Sequence, residues 1–389
     1  MTGHDLRPLP VHLTQVLAAT QGSLAALFNP DPHIWHAGLQ DEAADLSRRI
    51  LAAGRVTVAN HLAQQLVHEM EGFAAGLRRY RAHPWHHRPS PHEVVHQIGS
   101  VRLRRYGSGP PVLLIPSLVN GSEVLDLLPD RSCVRALMAA GLGVASIDWG
   151  TPGAQECALS VDAYVTERLI PLIERLAERA GRPVALTGYC MGGLLALAAA
   201  CLRPDLVSAL ALLAMPWEFA AAGPLRWLSR TITSPGDTQP VAAERVQALF
   251  VSLDPTLTLR KFIRFGQLEE GDPEMERFVA VEAWSNEGPP LAAPAAAQVA
   301  DQWYRDNVPG RGLWQIAGTR IEPAAVARPR LFALPANDRI VPLPCAEPAV
   351  VAQAAVLRPE AGHVGMMVGR RAQAQLFTPL AQWLLDSPG

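Results

Sequence analysis

The sequence predicts an α/β protein: a mostly parallel β-sheet with helices on both faces and an inserted cap. Three observations predict it. Short apolar runs alternate with helix-length segments from about residue 93 onward, the pattern of a parallel sheet covered on both sides. The segment Gly188-Tyr189-Cys190-Met191-Gly192-Gly193 sits where a strand must turn sharply into a helix. The alternation then breaks down between Met215 and Val326 and resumes afterwards. A long insertion between two core strands is where such proteins carry a lid.

Composition sets the outer limits. Hydrophobic residues make up 49% of the 389 residues and charged residues 18%, so a sizeable core is expected and global disorder is not. The formal net charge of −2 gives no general attraction to nucleic acid or anionic membrane. Lys261 is the only lysine, and arginine carries the remaining positive charge. The 5 cysteines (Cys133, Cys157, Cys190, Cys201 and Cys345) are odd in number, widely spaced and lack a C-x-x-C pair. Neither a disulfide framework nor a zinc site is expected, and a reducing cytoplasm is the natural setting. Met1–Leu17 shows no basic stretch followed by a long apolar run, so no signal peptide is read there. Gly192–Leu202 and Leu206–Met215 are the most apolar stretches, and each is too short to span a bilayer.

Taken in order, residues Leu39 to Arg81 read as helices, with Leu46, Ile50, Leu51, Val58, Leu62, Leu66, Met70 and Phe73 recurring mostly at three and four. The Pro- and His-rich stretch from His83 to His92 cannot continue a helix and reads as a junction. Residues 1–92 are therefore expected to form an N-terminal helical region and linker. Val94–Ile98 and Val101–Tyr106 read as early strands. Val112–Ile115, Val144–Ile147, Val184–Gly188, Leu206–Leu213, Leu331–Leu334 and Ala355–Leu357 follow as buried ones. Ser160 to Ala180 has helical periodicity and Gly181 stops it. The catalytic core is expected to comprise 93–216 and 326–389, with 217–325 as the cap. Trp217, Trp284 and Trp303 fall in that cap, where core packing is the commoner use of an indole.

The turn at 188–193 carries the chemistry. It matches the nucleophile elbow G-x-S-x-G with cysteine in place of serine. The turn is tight and its apex strained, so the residues two before and two after the nucleophile must be small. The helix N-terminus beyond it favours a thiolate and offers backbone N–H groups to an oxyanion. The glycine spacing does not fit the dinucleotide pattern G-x-G-x-x-G.

An elbow nucleophile needs an acid and a histidine, in that chain order. His363 is the only histidine downstream of Cys190, in the turn Gly362-His363-Val364 after an apolar strand. Asp338 follows the penultimate strand, in Asn337-Asp338-Arg339-Ile340-Val341-Pro342. For the oxyanion hole, the Met191 N–H is one expected donor. The other comes from the loop after Ile115, with Val119 chosen and Leu118 as its neighbour.

At this point the residues resemble the polyhydroxyalkanoate synthase family of the α/β-hydrolase superfamily, from Ser90 to near the C-terminus. The resemblance rests on Ser90-Pro91-His92-Glu93-Val94-Val95, Pro116-Ser117-Leu118-Val119-Asn120, Leu125 to Pro129, Ser132 to Arg135 and Ile147 to Pro152. It also rests on the cysteine elbow, Asn337 to Pro342, and Gly362-His363-Val364, all in order and at sensible spacing. It implies an α/β-hydrolase fold and an acyltransferase that joins (R)-3-hydroxyacyl groups from coenzyme A into a polyester, releasing coenzyme A. Cys190 would carry the acyl chain as a thioester, His363 would deprotonate the thiol, and Asp338 would orient His363 and help activate the incoming 3-hydroxyl. No cofactor is expected, coenzyme A entering only as the substrate's thioester. The expected partners are a polyester granule in the cytoplasm and either a second copy or a second synthase subunit. The chain's length is nearer the short-form synthases, whereas its Gly-Tyr-Cys box is closer to the long form. Two rivals stand beside this reading: a hydrolase on the same triad, as a thioesterase or polyester depolymerase, and a non-catalytic granule-associated relative.

Overall fold

The computed structural model describes residues 4–14, 17–18, 37–233 and 238–387. The chain divides into two compact units, Met1–Trp85 with Asp254–Val279, and His86–Leu253 with Ala280–Gly389. The first unit thus takes in a piece of chain that lies, in sequence, inside the long insertion.

In the first unit, the helices Gln40–Ala53 and Arg55–Ala82 are separated by Gly54, whose φ of 86° lies outside the helical region. The C-terminal half of the longer helix buries Phe73, Leu77 and Tyr80. These pack with Leu259, Phe262 and Phe265 of the helix Leu257–Gly266 and with Met275 and Val279. Tyr80 and Phe262 meet edge to face at 5.5 Å between centroids, a favoured aromatic geometry. Arg79 donates across to the carbonyls of Phe265, Gly266 and Leu268, at and just beyond the C-terminus of that helix, where intrahelical N–H donors run out.

The second unit is built on an eight-stranded sheet. The strands in chain order are β1 (Glu93–Ile98), β2 (Val101–Arg105), β3 (Pro111–Ile115), β4 (Asp126–Leu128), β5 (Arg131–Ser132), β6 (Gly143–Asp148), β7 (Val184–Tyr189), β8 (Val207–Leu213), β9 (Gln315–Ile316), β10 (Thr319–Arg320), β11 (Arg330–Ala333) and β12 (Ala355–Leu357). The main sheet runs β1-β2-β6-β3-β7-β8-β11-β12. β1, β2 and β6 pair antiparallel; every pairing from β6 to β12 is parallel. Each of the eight stretches read as strands from the sequence lies in this sheet. The central strands β3, β7 and β8 are buried along their whole length, which is why they read as unbroken apolar runs and not as alternating ones.

The parallel pairing sets Ile115 opposite Gly188, Gly188 opposite Leu212 and Leu213 opposite Ala333. The loops after β3, β7, β8, β11 and β12 therefore leave from one edge of the sheet. That edge is where open α/β sheets bind ligands. Ser160 caps the helix that precedes β7, its Oγ accepting from the Ala163 N–H at 3.1 Å. The same helical stretch ends at Gly181, which takes the left-handed conformation at φ 65°.

Three of the motif residues meet in one buried knot. Asp126 accepts from the Ser90 N–H at 2.6 Å, the Ser90 hydroxyl at 3.0 Å and the Ser132 hydroxyl at 2.6 Å. The His87 ring bonds the Asp126 carbonyl at 2.9 Å. Their place in the motif is thus structural: they tie the chain's entry to the β4–β5 hairpin. Among the described residues, no helix is long and apolar enough to cross a membrane.

Candidate active site

β7 ends at Tyr189 and the helix Met191–Leu202 begins one residue later. Cys190 alone makes the turn, at φ 56° and ψ −125°. A non-glycine residue with positive φ is strained, and such strain persists only where the surroundings impose it. Here they do. The Cys190 N–H donates to the Leu213 carbonyl at 2.8 Å, and its own carbonyl accepts from the Gly193 N–H at 2.9 Å. A Cβ on Gly192 would stand 2.1 Å from the Ile115 carbonyl oxygen, and one on Gly188 would stand 2.4 Å from that of Gly192. Glycine at both positions lets the helix start press against β3.

The acid and the histidine arrive on the neighbouring loops. Leu334 N–H donates to the Leu357 carbonyl, Ala336 N–H to Pro359 and Asn337 N–H to Ala361. The loops after β11 and β12 are thereby zipped together. His363 Nδ1 donates to Asp338 Oδ2 at 2.7 Å. Asp338 Oδ1 accepts from the backbone N–H groups of Ile340 and Val341, both at 2.8 Å. Both carboxylate oxygens are engaged and the side chain is fully buried.

Cys190 stands close enough to His363 to act on it electrostatically. The His363 pKa is raised from the ordinary imidazole value to about 10. Burial by itself would lower it; the charge interactions with Cys190 and Asp338, and the hydrogen bond to Asp338, outweigh burial. The arrangement favours the protonated imidazole at His363.

The five cysteines are all free thiols, and their surroundings separate them. Burial pushes Cys133 and Cys345 up to about 12 and raises Cys201 as well. A buried thiol held protonated is a poor nucleophile. Cys190 is half-buried, opens onto a cavity and sits at the start of a helix.

The structure thus brings Cys190, Asp338 and His363 together at one edge of the sheet. Met191 opens the helix, where backbone N–H groups lack intrahelical acceptors. The Val119 N–H faces the Ser117 hydroxyl at a long 3.4 Å, so it is held only weakly. Both Met191 and Val119 line the same cavity as Cys190. Trp149 Nε1 donates to the Pro116 carbonyl at 3.1 Å and steadies the loop that carries Val119.

That cavity measures about 50 Å³ and its wall is almost wholly apolar. The inserted stretch supplies Phe219, Leu225, Ile232, Leu249 and Trp303, while Ile340 comes from the Asp338 loop. Trp303 is buried against Trp314, edge to face at 5.5 Å. Trp217 and Trp284 are buried as well, and Trp284 Nε1 donates to the Gly121 carbonyl at 2.8 Å.

One participant escaped the sequence reasoning. The Tyr189 hydroxyl donates to the His363 carbonyl at 3.3 Å, and the two rings lie 5.2 Å apart. Burial, with Cys190 and Asp338 nearby, drives the Tyr189 phenol well above its usual range, so it remains a donor. Its position inside the elbow was the only available signal. The cavity-lining residues carried none beyond their place in the insertion.

Comparison with known proteins is consistent with this geometry. The family model described as "alpha/beta hydrolase fold" matches residues 110–366. The poly(3-hydroxyalkanoate) polymerase subunit PhaC of Haloferax mediterranei is 27% identical over 76% of the chain and 64% of its own length. The subunits of the same name from Thiocystis violacea and Allochromatium vinosum are 29% and 27% identical, each over 76% of the chain and 88% of their own length. The chain therefore matches slightly less than two thirds of the haloarchaeal relative.

Proposed function

Because the chain belongs to the alpha/beta hydrolase fold family, we propose that it is an acyltransferase that polymerises (R)-3-hydroxyacyl groups from coenzyme A through a thioester on Cys190. The observation that carries this reading is the His363–Asp338 hydrogen bond beside Cys190, opening onto an apolar cavity. The similarity to the polymerase subunits supports the substrate class.

In the first half-reaction the Cys190 thiolate attacks the acyl carbonyl. The carbon–sulfur bond to coenzyme A breaks, and the imidazolium of His363 protonates the departing thiolate. Exchange between two thioesters is nearly isoenergetic, so the acyl group stays activated; serine would hold it as a less reactive ester. The oxyanion formed on the way is met by the N–H groups of Met191 and Val119. In the second half-reaction the 3-hydroxyl of the next monomer attacks the Cys190 thioester. Its proton passes to His363, the ester bond forms and the thiolate is regenerated. Asp338 holds the His363 tautomer throughout. An apolar wall disfavours water as the acceptor, which supports transfer over hydrolysis.

Incubation with (R)-3-hydroxybutyryl-coenzyme A, following thiol release and product size together, tests the reading. Thiol release with a growing, sedimentable ester product is expected. Thiol release with only free hydroxy acid would overturn polymerisation and make the protein a thioesterase. Silence on both channels, with longer acyl chains tried as well, would favour a non-catalytic role.

A further inference from the structure

The inserted stretch has two faces at Leu225–Ile232. Leu225 and Ile232 point inward and line the Cys190 cavity. Trp227, between them, points outward and is 60% exposed, whereas Trp149, Trp217, Trp284, Trp303 and Trp314 are each under 10%. Leu225 and Ser229 are almost fully buried, so this indole stands on a fixed base. Two guanidiniums attend it. That of Arg230 lies 4.9 Å from the ring centroid and that of Arg226 5.5 Å. Among the described residues neither has a carboxylate within ion-pairing distance. Asp306, which feels Arg230 as a more distant charge, is committed to Arg305 at 2.9 Å.

An exposed indole flanked by two guanidiniums that no described carboxylate pairs with is an unusual surface feature. Leaving a large aromatic ring in water forgoes the free energy of burying it. Arginine without a carboxylate is suited to phosphate, whose oxygens match its planar fork. An aromatic face stacks on any nucleobase. The substrate of the reaction proposed above carries both groups, an adenine ring and three phosphates, at the far end of its pantetheine arm. When the thioester lies at Cys190, a cavity of about 50 Å³ has no room for that end, which then stands outside it. Leu225 and Trp227 belong to one short helix, so the platform and the cavity wall are parts of the same turn.

We propose that Trp227, Arg226 and Arg230 form the docking site for the nucleotide end of coenzyme A. The adenine stacks on the Trp227 indole, and Arg226 and Arg230 swing from the ring to the phosphates. This inference rests on the acyl-coenzyme A reading, and the test separates the two. Free coenzyme A and 4′-phosphopantetheine are titrated into the full-length protein by calorimetry, in the wild type, Trp227→Ala and Arg226→Ala/Arg230→Ala. Coenzyme A is expected to bind about tenfold more weakly to each variant, a loss within the range of one base-stacking contact. The Trp227→Ala change leaves phosphopantetheine binding alone. Unchanged coenzyme A affinity in both variants, with melting temperatures equal to wild type, would overturn the inference, as would equal loss for both ligands. Trp227-dependent coenzyme A binding without any thioester turnover would overturn the acyl-transfer reading and leave this site standing.

Discussion

His363 Nδ1 and Asp338 Oδ2 lie 2.7 Å apart, and the other Asp338 oxygen is fixed by two backbone N–H groups at 2.8 Å. The carboxylate cannot turn away from the imidazole without abandoning both amides. The ring is thereby set with its second nitrogen free for Cys190. Asp338→Asn keeps the shape but loses the charge that selects the tautomer. A fall in turnover of at least about a hundredfold is expected with the fold retained, measured as thiol release beside a circular dichroism spectrum.

Cysteine position should matter sharply. Cys190→Ala is expected to lower acyl transfer by about a thousandfold or more, whereas Cys133→Ala and Cys201→Ala retain most of it. Steady-state rates of the three purified variants decide this, and wild-type turnover in Cys190→Ala would sink the assignment.

The charge pairing at the site makes a pH prediction. His363 is held up to about 10 in the folded protein, against about 6.5 for a free imidazole. A raised pKa means the folded state binds the proton more tightly. Its stabilisation is complete below about pH 6.5 and is lost as pH rises through about 10. Denaturation midpoints should therefore fall across that window. In Cys190→Ala, which removes a neighbour that holds the His363 pKa up, the fall should shrink and end at lower pH. An NMR titration of the His363 ring protons reports the same shift directly. An unmoved His363 pKa in that variant would contradict the pairing.

The elbow glycines tolerate nothing larger. Gly192→Ala places a methyl group against the Ile115 carbonyl oxygen at 2.1 Å. A loss of about 1–3 kcal/mol is expected from overpacking, together with impaired turnover because the same movement displaces the Val119 loop. Thermal unfolding measures the first effect and kinetics the second.

Asp126 is the structural counterpart. Asp126→Ala leaves the Ser90 amide and two hydroxyls without their buried acceptor. A destabilisation of about 3 kcal/mol is expected, read from urea denaturation. A change under 0.5 kcal/mol would show that water replaces the carboxylate.

These residues also mark what a sequence can and cannot tell. Cys190, Asp338 and His363 were legible because the elbow pattern is local and because one histidine alone follows it. The sheet was legible because β3, β7 and β8 are buried on both faces and so read as apolar runs. The partnership of Tyr189 with His363 was not, since 174 residues separate them and a tyrosine's hydroxyl carries no address. Nor did periodicity reveal that Asp254–Val279 groups with the N-terminal helices: an apolar stripe announces that a helix packs, not which helix it meets. Ser90, Asp126 and Ser132 stood out as motif residues, but their shared hydrogen bonds required coordinates. Trp227 and the cavity wall lacked any periodic or motif signal.

The central claim is that Cys190 carries the acyl group, and one measurement tests it most directly. The protein is mixed with (R)-3-hydroxybutyryl-coenzyme A, quenched in acid and digested, and the peptides are weighed. The expected result is a hydroxyacyl mass, labile to hydroxylamine, on the peptide containing Cys190 and absent from Cys190→Ala. Release of coenzyme A with the acyl group on another residue, or with no acylated peptide at any time point, would contradict the account.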